Sequence, residues 1–539
     1  MKKAYKLIAV LFTSLLSLTS CDLFSNASSS SSTLVSSTIP SSSNNDSSSP
    51  SSSSSSSSSN TSNIVLDYPS VNPCKTRTGK KDKAKNLVVY AVNDTHGAIE
   101  DTPESYQAGL AKIREYVCKD SDYDPDYSVI LSAGDMFQGT GISNLTEGLA
   151  MTHVMNAFPF DAMAVGNHEF DWGLDFLLTN IEKTRKFEVL ANNIYAKGKN
   201  EVAEGMKPYT IIDRGGYKIG VIGSIEHGID SSIMYNKLTD YSIVSDVDIT
   251  KNQAAQLKKD GADLVLLLTH QGATDNVKTI LEAGNIDAAI LGHTHAFISE
   301  TINSIPMLEA RANGQALTKI VFNKSGELVS SAVHSFSKSE INSLTVSADM
   351  RTLLDAIHKK VDPILNEKIT TVNGSLLRYE STYTAGNLSS LITQLMYNYG
   401  KKYSLDNVIA VYNKGGLRSD FKCTSSTCTL TYGDVYQMCP FENEVRVVPI
   451  KGTRLESSIQ SHFYYGVDFT TNKLVDGRNF DTSKTYNVVT LDYLTTTPGY
   501  PLYASDGGKI LGNKKIYVRD MIKEELTGVK QIDIADYPF

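Results

Sequence analysis

From residue 86 onward, short apolar runs alternate with longer segments of mixed polarity. The strongest strand signals are Leu87–Val92, Val129–Ala133, Ala162–Val165, Val189–Ala191, Lys218–Ile222, Leu264–Leu268 and Ala288–Leu291. Continuous apolar runs predict strands buried on both faces, and the helix-length stretches between them indicate an α/β architecture. Because ligands of open α/β sheets bind beyond the carboxyl ends of strands, we expect the chemistry directly after these runs, at one end of one sheet.

A second pattern begins near residue 345 and predicts a further domain. Helix-like periodicity covers Thr352–Ile364 and Leu388–Tyr399, and strand-like runs cover Val408–Tyr412, Val445–Ile450 and Tyr486–Leu491. We therefore place a first domain at residues 84–338, a linker helix at 339–370 and a second domain at 371–539. The chain length of 539 residues agrees, since one core rarely extends past ~250–300 residues.

The N-terminus has the pattern of an export signal over residues 1–20. Lys2 and Lys3 precede an apolar stretch from Leu7 to Leu18, which is too short for a stable membrane span. It ends in Leu18-Thr19-Ser20-Cys21, which resembles the bacterial lipobox. This resemblance implies a lipidated Cys21 and a protein outside the cytoplasm, anchored to the cell membrane as a lipoprotein. An ordinary signal peptide with an incidental cysteine is the alternative.

Serine dominates residues 26–63, so this segment cannot bury enough apolar surface to fold. Residues 64–83 are basic and polar, and we predict a disordered tether over 21–83. The remaining body is acidic, because the whole chain carries a net charge of −8 despite its basic N-terminus. That charge argues against a nucleic-acid polymer as partner. The lack of any run of ~18 apolar residues excludes a multi-span membrane protein.

If Cys21 is lipidated, an odd number of cysteines remains. Cys423 and Cys428 would close a small loop in an oxidising compartment, whereas the sequence leaves Cys74, Cys118 and Cys439 open. No Cys/His spacing typical of a structural zinc site occurs.

Asp, Asn and His side chains follow five of the predicted strands. The motifs are Asn93-Asp94-Thr95-His96-Gly97, Gly134-Asp135, Gly166-Asn167-His168-Glu169-Phe170-Asp171-Trp172, Thr269-His270 and Gly292-His293-Thr294-His295. A single histidine after a strand is more often structural than functional, but five such motifs are difficult to explain by packing. We interpret Glu169, Phe170 and Trp172 as scaffold.

This set of side chains suits a two-metal hydrolytic site. Imidazole and carboxylate ligands favour divalent Zn, Mn or Co over Ca. Two such ions can share a bridging carboxylate and a bridging hydroxide that attacks phosphorus.

The motifs resemble those of the calcineurin-like metallophosphoesterases. Residues 85–539 as a whole resemble the secreted bacterial 5′-nucleotidase and UDP-sugar hydrolase family. The resemblance implies a metallophosphoesterase-type β-sandwich flanked by helices, linked to a smaller α+β C-terminal substrate-binding domain. It also implies one metal at Asp94, His96, Asp135 and His295, and another at Asp135, Asn167, His270 and His293. His168 would stabilise the transition state, and Asp171 would orient its imidazole.

The resemblance extends to the second domain. Asn413-Lys414-Gly415-Gly416-Leu417-Arg418 resembles the family segment whose arginine holds phosphate, and Arg378 resembles a second phosphate-binding arginine. Pro440-Phe441-Glu442-Asn443 resembles the segment whose aromatic ring stacks on the base, with Glu442 in place of glycine. Tyr493 would supply the second aromatic face. The family's Gly-Gly-Asp ribose-binding segment is missing near Thr497-Pro498.

The leading functional hypothesis is therefore a lipid-anchored phosphohydrolase that acts on nucleoside 5′-phosphates. One alternative is a related hydrolase of 2′,3′-cyclic nucleotides, nucleoside diphosphate sugars or a sulfur ester. The other is a surface receptor or adhesin that kept the fold without turnover, which is disfavoured because every metal-ligand position is filled.

Overall fold

Two six-stranded sheets form the N-terminal domain of the computed structural model, which describes residues 68–381, 384–459 and 461–537. In spatial order, the first sheet contains Leu328–Ser335, Ala316–Phe322, Leu87–Val92, Ser128–Ser132, Ala162–Ala164 and Glu188–Leu190. The second contains Phe297–Ile302, Ile305–Ala310, Ala288–Leu291, Leu264–His270, Tyr217–Ile225 and Tyr209–Arg214. The predicted signal, Cys21 and the serine-rich segment lie outside the described residues.

The two sheets pack face to face around one apolar core. Leu87 and Val89 of the first sheet meet Leu264, Leu266 and Leu268 of the second. Helices cover the outer faces: Gly109–Lys119, Leu149–Ala157, Leu174–Glu182 and Ala348–Leu365 pack against the first sheet, and Val247–Lys259 and Asp275–Glu282 against the second. The predicted β-sandwich flanked by helices is confirmed.

Parallel pairing aligns the strands that carry the motifs. Leu87–Val92, Ser128–Ser132 and Ala162–Ala164 are mutually parallel in the first sheet, as are Leu264–His270 and Ala288–Leu291 in the second. The expectation of a single sheet was therefore wrong, because three motifs follow strands of one sheet and two follow strands of the other. The apolar runs identify buried strands but carry no information about which sheet each strand joins.

All seven apolar runs are strands, and several extend beyond the predicted bounds. The prediction missed five strands of these two sheets. Phe297–Ile302 and Leu328–Ser335 are largely exposed and Tyr209–Arg214 is half-exposed, so none has a continuous apolar run. Ile305–Ala310 and Ala316–Phe322 are mostly buried, but polar residues interrupt their apolar pattern. Shorter elements complete the domain: the helices Gly141–Leu145 and Lys338–Ser343, the paired strands Ile194–Ala196 and Tyr241–Ile243, and the 3-10 turns Pro103–Ser105, Asn167–Phe170, Ile229–Ser232 and Tyr235–Lys237.

Residues 68–83 differ from the predicted tether, because they lie against the N-terminal domain. Tyr68 is buried, and a disulfide joins Cys74 to Cys118. The carboxylate of Asp126 accepts hydrogen bonds from the main-chain N–H groups of Thr78 and Gly79. A polar composition suggested flexibility here, whereas a disulfide, main-chain hydrogen bonds and the packing of Tyr68 and Val71 on the domain core hold the segment.

The C-terminal domain is built on a mixed four-stranded sheet in the order Val445–Lys451, Thr485–Leu491, Val408–Tyr412 and Phe463–Tyr465. Helices Asn387–Lys402 and Val518–Leu526 pack on one face, and Gly452–Ser458 on the other. The remaining elements are strands Lys368–Asn373, Cys428–Thr431, Ile532–Asp533, Val467–Asp468 and Lys473–Leu474, helices Tyr432–Met438 and Asp492–Thr496, and 3-10 turns Lys414–Gly416, Leu511–Asn513 and Ile534–Asp536.

This arrangement confirms the predicted α+β C-terminal domain, and a disulfide joins Cys423 to Cys428 as the spacing suggested. Cys439 is buried and carries a free thiol. Among the residues that the structure describes, no helix combines the length and apolarity needed to cross a membrane.

Candidate active site

The five strand-end motifs bring all seven predicted metal ligands together at one end of the sandwich. Nε2 of His270 lies 3.1 Å from an Asp135 carboxylate oxygen and 3.1 Å from Oδ1 of Asn167. Nδ1 of His293 lies 3.0 Å from the same Asn167 oxygen. On the other side of the cluster, Nε2 of His295 lies 3.4 Å from an Asp94 oxygen and 3.0 Å from Nε2 of His96.

The protonation pattern of this cluster fits a cation. Nδ1 of His270 lies 2.7 Å from the carbonyl oxygen of Ala133 and donates its proton there, so Nε2 is the nitrogen that faces the oxygens of Asp135 and Asn167. Burial alone would lower the pKa of His270, but the carboxylates of Asp135 and Asp94 raise it to about 10, so Nε2 also holds a proton at neutral pH. The negative potential that stabilises this proton would equally stabilise a divalent cation, for which imidazole and carboxylate are suitable ligands.

The main chain around the ligands takes a conformation that L-residues rarely adopt. Positive φ angles occur at five of the seven predicted ligands, namely Asp94, His96, Asp135, His293 and His295. Such conformations each cost of order 1–3 kcal/mol and persist where surrounding contacts enforce them. Only glycine fits at position 166, because a Cβ there would lie 2.2 Å from an Asp135 carboxylate oxygen.

Two buried glutamates hold the ligand loops in place. The carboxylate of Glu169 accepts hydrogen bonds from the main-chain N–H groups of Asp135, Met136 and Gly166, at 2.7–2.9 Å. Glu309 accepts from the hydroxyl of Thr294 at 2.6 Å and from the N–H of Ala296 at 3.1 Å. The role of Glu169 agrees with its interpretation as scaffold, whereas Glu309 lies inside a strand and carried no signal in the sequence.

His168 lies beside the cluster in the orientation that the resemblance implied. Its Nδ1 lies 2.8 Å from an Asp171 carboxylate oxygen, and its main-chain N–H donates to Oδ1 of Asp135. Burial by itself lowers the pKa of His168, but Asp171 and Asp135 together outweigh it and raise the pKa above its usual value. Asp171 therefore fixes the ring and favours the protonated imidazole.

A cavity of about 350 Å³ lies between the two domains and opens onto this cluster. The C-terminal domain contributes Arg418, Phe441, Asn443 and Tyr493 to its wall. The Phe441 ring stacks on His168 with centroids 5.5 Å apart, and the Arg418 guanidinium lies 5.6 Å from the Phe441 centroid. The guanidinium makes no hydrogen bond or ion pair to a described residue, so its donors are free for a ligand.

Tyr493 reaches across to the N-terminal domain. Its hydroxyl donates to the main-chain carbonyl oxygen of Ser231 at 2.6 Å, and the hydroxyl of Tyr500 donates to the same oxygen at 2.7 Å. The two hydroxyl oxygens are 2.9 Å apart. A second contact between the domains is the hydrogen bond from the Asn144 amide to the carbonyl oxygen of Pro440.

Arg378 is not among the residues that line the cavity, so the phosphate contact implied by the resemblance stays a prediction. Its Nε donates to Asp420 at 3.1 Å, and NH1 donates to the carbonyl oxygens of Arg418 and Leu417 at 2.8 and 3.3 Å. Arg378 therefore supports the main chain of Arg418.

Several wall residues were not predicted to contact a ligand. They are Gln138, Trp172, Ser232, Met234, Asn236, Lys237, Glu442, Glu444, Asp492 and Tyr517. Glu442 had been noted only as a replacement for glycine, and Trp172 only as scaffold. The remainder reach the cavity through tertiary packing, which no local pattern indicates.

The two domains match two known families. Residues 87–297 match the calcineurin-like phosphoesterase family, and residues 368–502 match the 5′-nucleotidase C-terminal domain. The chain is 24% identical to a snake venom 5′-nucleotidase from Crotalus adamanteus over 417 residues, 69% of each protein. It is 22% identical to the cell wall protein Lmo0130 of Listeria monocytogenes over 80% of this chain and 63% of that protein.

A solved structure shares the fold. The crystal structure of a 5′-nucleotidase precursor from Thermus thermophilus superposes with a TM-score of 0.64. The match covers 83% of this chain and 97% of that chain at 20% identity. It therefore extends over both domains.

Proposed function

Because the chain belongs to the calcineurin-like phosphoesterases with a 5′-nucleotidase C-terminal domain, we propose that this metal-dependent phosphomonoesterase hydrolyses nucleoside 5′-monophosphates. One observation carries the proposal: the cavity joins the metal-ligand cluster and His168 on one wall to Arg418 and two aromatic side chains on the other. A ligand that fills it combines a phosphate with a flat, partly apolar group.

The seven ligands would hold two divalent ions. Asp94, His96, Asp135 and His295 suit one ion, and Asn167, His270 and His293 suit the other, with Asp135 shared. When bound, Zn, Mn or Co ions would supply Lewis-acid stabilisation of the phosphoryl oxygens and an activated water.

Arg418 would bind the phosphoryl group from the C-terminal side. A guanidinium donates two parallel hydrogen bonds to phosphate oxygens, and that of Arg418 has no competing partner among the described residues. Arg378 holds the carbonyl oxygen of Arg418, which limits the freedom of the loop that carries it.

His168 would stabilise charge on the phosphoryl group and donate a proton to the leaving oxygen. The contact between Nδ1 and Asp171 leaves Nε2 as the free nitrogen, and the carboxylate favours the imidazolium that can donate. Phe441 covers the ring on one face, so the protonated nitrogen is shielded from bulk water.

Phe441 and Tyr493 would contact the base, while Asn443 supplies polar groups to the same wall. Stacking on aromatic rings favours planar groups of any identity. The proposal therefore specifies a nucleoside 5′-phosphate without selecting one base.

We further propose that the enzyme works outside the cytoplasm, anchored through a lipid on Cys21. The export pattern of residues 1–20, the two disulfides and the similarity to a cell wall protein support this location.

The substrate proposal can be tested with the full-length protein, stripped of metal and reconstituted with Mn²⁺ or Zn²⁺. Phosphate release is measured from nucleoside 5′-monophosphates, 2′,3′-cyclic nucleotides, a nucleoside diphosphate sugar and p-nitrophenyl phosphate. We expect metal-dependent release, fastest from the 5′-monophosphates. A protein that hydrolyses another member of the panel at least about tenfold better would refute the proposed substrate class, and no release from any phosphoester would refute the activity.

Two variants separate the roles within the site. Asp135→Asn should lose both metal and nearly all activity, because the shared ligand is weakened. His168→Asn should keep its metal content and lose about 100-fold in kcat, the usual contribution of a general acid. Unchanged kcat in His168→Asn contradicts the role assigned to this residue.

A further inference from the structure

The C-terminal wall of the cavity carries three carboxylates that the chemistry above does not use. They belong to Glu442, Glu444 and Asp492, and they share the wall with the aromatic rings of Phe441, Tyr493 and Tyr517. Their partners distinguish them.

Two of the three charges are balanced within the protein. Oε1 of Glu442 lies 3.0 Å from the Arg519 guanidinium. Glu444 binds Nζ of Lys515 at 3.0 Å with one oxygen and the Arg446 guanidinium with the other. These two glutamates are therefore engaged before any ligand arrives.

Asp492 makes no ion pair with a residue that the structure describes, and the Arg446 guanidinium, which binds Glu444, only partly offsets its charge. Its Oδ1 accepts from the main-chain N–H groups of Glu444 at 3.0 Å and Tyr493 at 2.8 Å, while Oδ2 makes no hydrogen bond to a described residue. The residue is only 7% exposed, and it lines the cavity wall. Burial and the Glu444 carboxylate raise the pKa of Asp492 to about 7, although both main-chain donors oppose the shift.

A largely buried carboxylate oxygen without a donor is costly, and a ligand that supplies one relieves that cost. A second phosphate would instead meet the carboxylate of Asp492 as a like charge without a hydrogen to donate. Because Arg418 is assigned to the reacting phosphoryl group, Lys237 on the wall of the N-terminal domain is the cation left for such a phosphate. The cavity therefore favours hydroxyl or amino groups over a second anion.

We propose that Asp492 is a specificity residue that accepts a hydrogen bond from the non-phosphate part of the substrate and disfavours nucleoside diphosphates. This inference rests on the proposed function and refines it. The donor is a sugar hydroxyl or a base amino group, which are chemically equivalent partners for a carboxylate.

The sharpest variant is Asp492→Asn. Its amide oxygen can keep both main-chain contacts, while an NH2 group, which only donates hydrogen bonds, replaces the carboxylate oxygen that we propose accepts one from the substrate. We expect the KM for adenosine 5′-monophosphate to rise about 10-fold or more, as for loss of a hydrogen bond to a charged group. The kcat and the KM for p-nitrophenyl phosphate should change less than about twofold, and relative activity on adenosine 5′-diphosphate should increase. Asp406→Asn, at an exposed position of the same domain, is the matched control.

Two analogues identify the donor. If a sugar hydroxyl is the partner, 2′,3′-dideoxyadenosine 5′-monophosphate should bind wild type and Asp492→Asn with equal KM. If the base amino group is the partner, inosine 5′-monophosphate, which lacks that group, should have the same KM with wild type and Asp492→Asn. An unchanged KM for adenosine 5′-monophosphate, or an equal rise for p-nitrophenyl phosphate, overturns the proposal. Hydrolysis of p-nitrophenyl phosphate but no nucleotide by wild type instead overturns the proposed function itself.

Discussion

At the scale of single residues, Glu169 shows how a side chain that touches no substrate can determine a site. It accepts hydrogen bonds from the loop that carries Asp135 and from the loop that carries Asn167 and His168. These two loops follow neighbouring strands, and one carboxylate fixes their separation. Backbone strain at Asp135 is sustained by such contacts.

Replacing Glu169 by glutamine should therefore impair both the site and the fold. The NH2 group of glutamine would face a main-chain N–H group whose hydrogen bond a carboxylate oxygen now accepts. Two donors would then face each other, and a buried donor without an acceptor costs about 1–3 kcal/mol. We expect Glu169→Gln to lose metal affinity and at least about 10-fold in kcat/KM, as is usual for groups that orient metal ligands. Metal content and phosphate release from a 5′-monophosphate provide the measurement.

Glu182→Gln removes the same charge from an exposed position and should leave metal content and kcat/KM unchanged. Wild-type metal affinity in Glu169→Gln would show that the three hydrogen bonds do not matter for the site.

The sequence predicted the metal ligands and His168 well, because Asp, Asn and His directly after buried strands form a local pattern. It did not predict Asp492 or Glu309, which are single acidic residues in otherwise apolar segments. Their importance comes from a cavity wall and from a neighbouring loop, both of which exist only after folding. The contact of Arg378 with Asp420 was not predicted either, because a motif does not show which partner binds a guanidinium.

At the scale of elements, the helix Ala348–Leu365 joins the sequence of the two domains but packs within the first. Its buried side chains, among them Met350, Leu354 and Ile357, belong to the core beneath the first sheet. On its partly exposed side, Nε2 of His358 lies 2.7 Å from Glu100 and Nδ1 lies 2.8 Å from Asp362.

This arrangement predicts a pH-dependent contribution to stability. Burial lowers the pKa of His358, but Asp362 and Glu100 outweigh it and raise the pKa above 6.5. The stabilisation is complete below the unfolded-state pKa of 6.5 and is lost as the pH rises through the raised folded-state value. His358→Gln should therefore destabilise by about 0.5–1 kcal/mol near pH ~5.5 and by less near pH ~9.

Thermal unfolding of wild type and His358→Gln at both pH values measures this difference. His227→Gln, at an exposed histidine of the same domain, should show little difference at either pH. A destabilisation by His358→Gln that grows toward alkaline pH would contradict the assignment of a charged imidazole.

Elements with continuous apolar runs were predictable, since burial on both faces leaves little room for polar residues. Val408–Tyr412 and Ala288–Leu291 have the same bounds in sequence and structure. The largely exposed strand Leu328–Ser335 was missed because it lacks a continuous apolar run, and only the fold pairs it with Ala316–Phe322. The assignment of strands to two sheets could not be predicted either, because it depends on contacts far apart in the chain.

At the scale of the whole molecule, the disulfides and the N-terminal sequence point to the same compartment. Cys74–Cys118 attaches the first described residues to the N-terminal domain, and Cys423–Cys428 lies in the C-terminal domain. Both domains therefore carry a bond that persists under oxidising conditions.

Replacement of Cys21 tests the proposed anchor. In a bacterial host that processes lipoproteins, Cys21→Ser should release the protein from the membrane fraction, because the lipid on this cysteine is the proposed attachment. Metabolic labelling with a fatty acid should mark wild type and not the variant. Cys74→Ser serves as a control and should still be labelled, and equal labelling of Cys21→Ser would place the modification elsewhere.

The contact of Tyr493 and Tyr500 with Ser231 has an evolutionary consequence. The acceptor is a main-chain oxygen, which every amino acid possesses, so position 231 is free to vary without loss of the bond. The two hydroxyls are also redundant, since either one can occupy the shared acceptor. A substitution at any one of these positions should leave at least one hydrogen bond between the domains. Sequence conservation would therefore be a poor indicator of this contact, because it tolerates many substitutions.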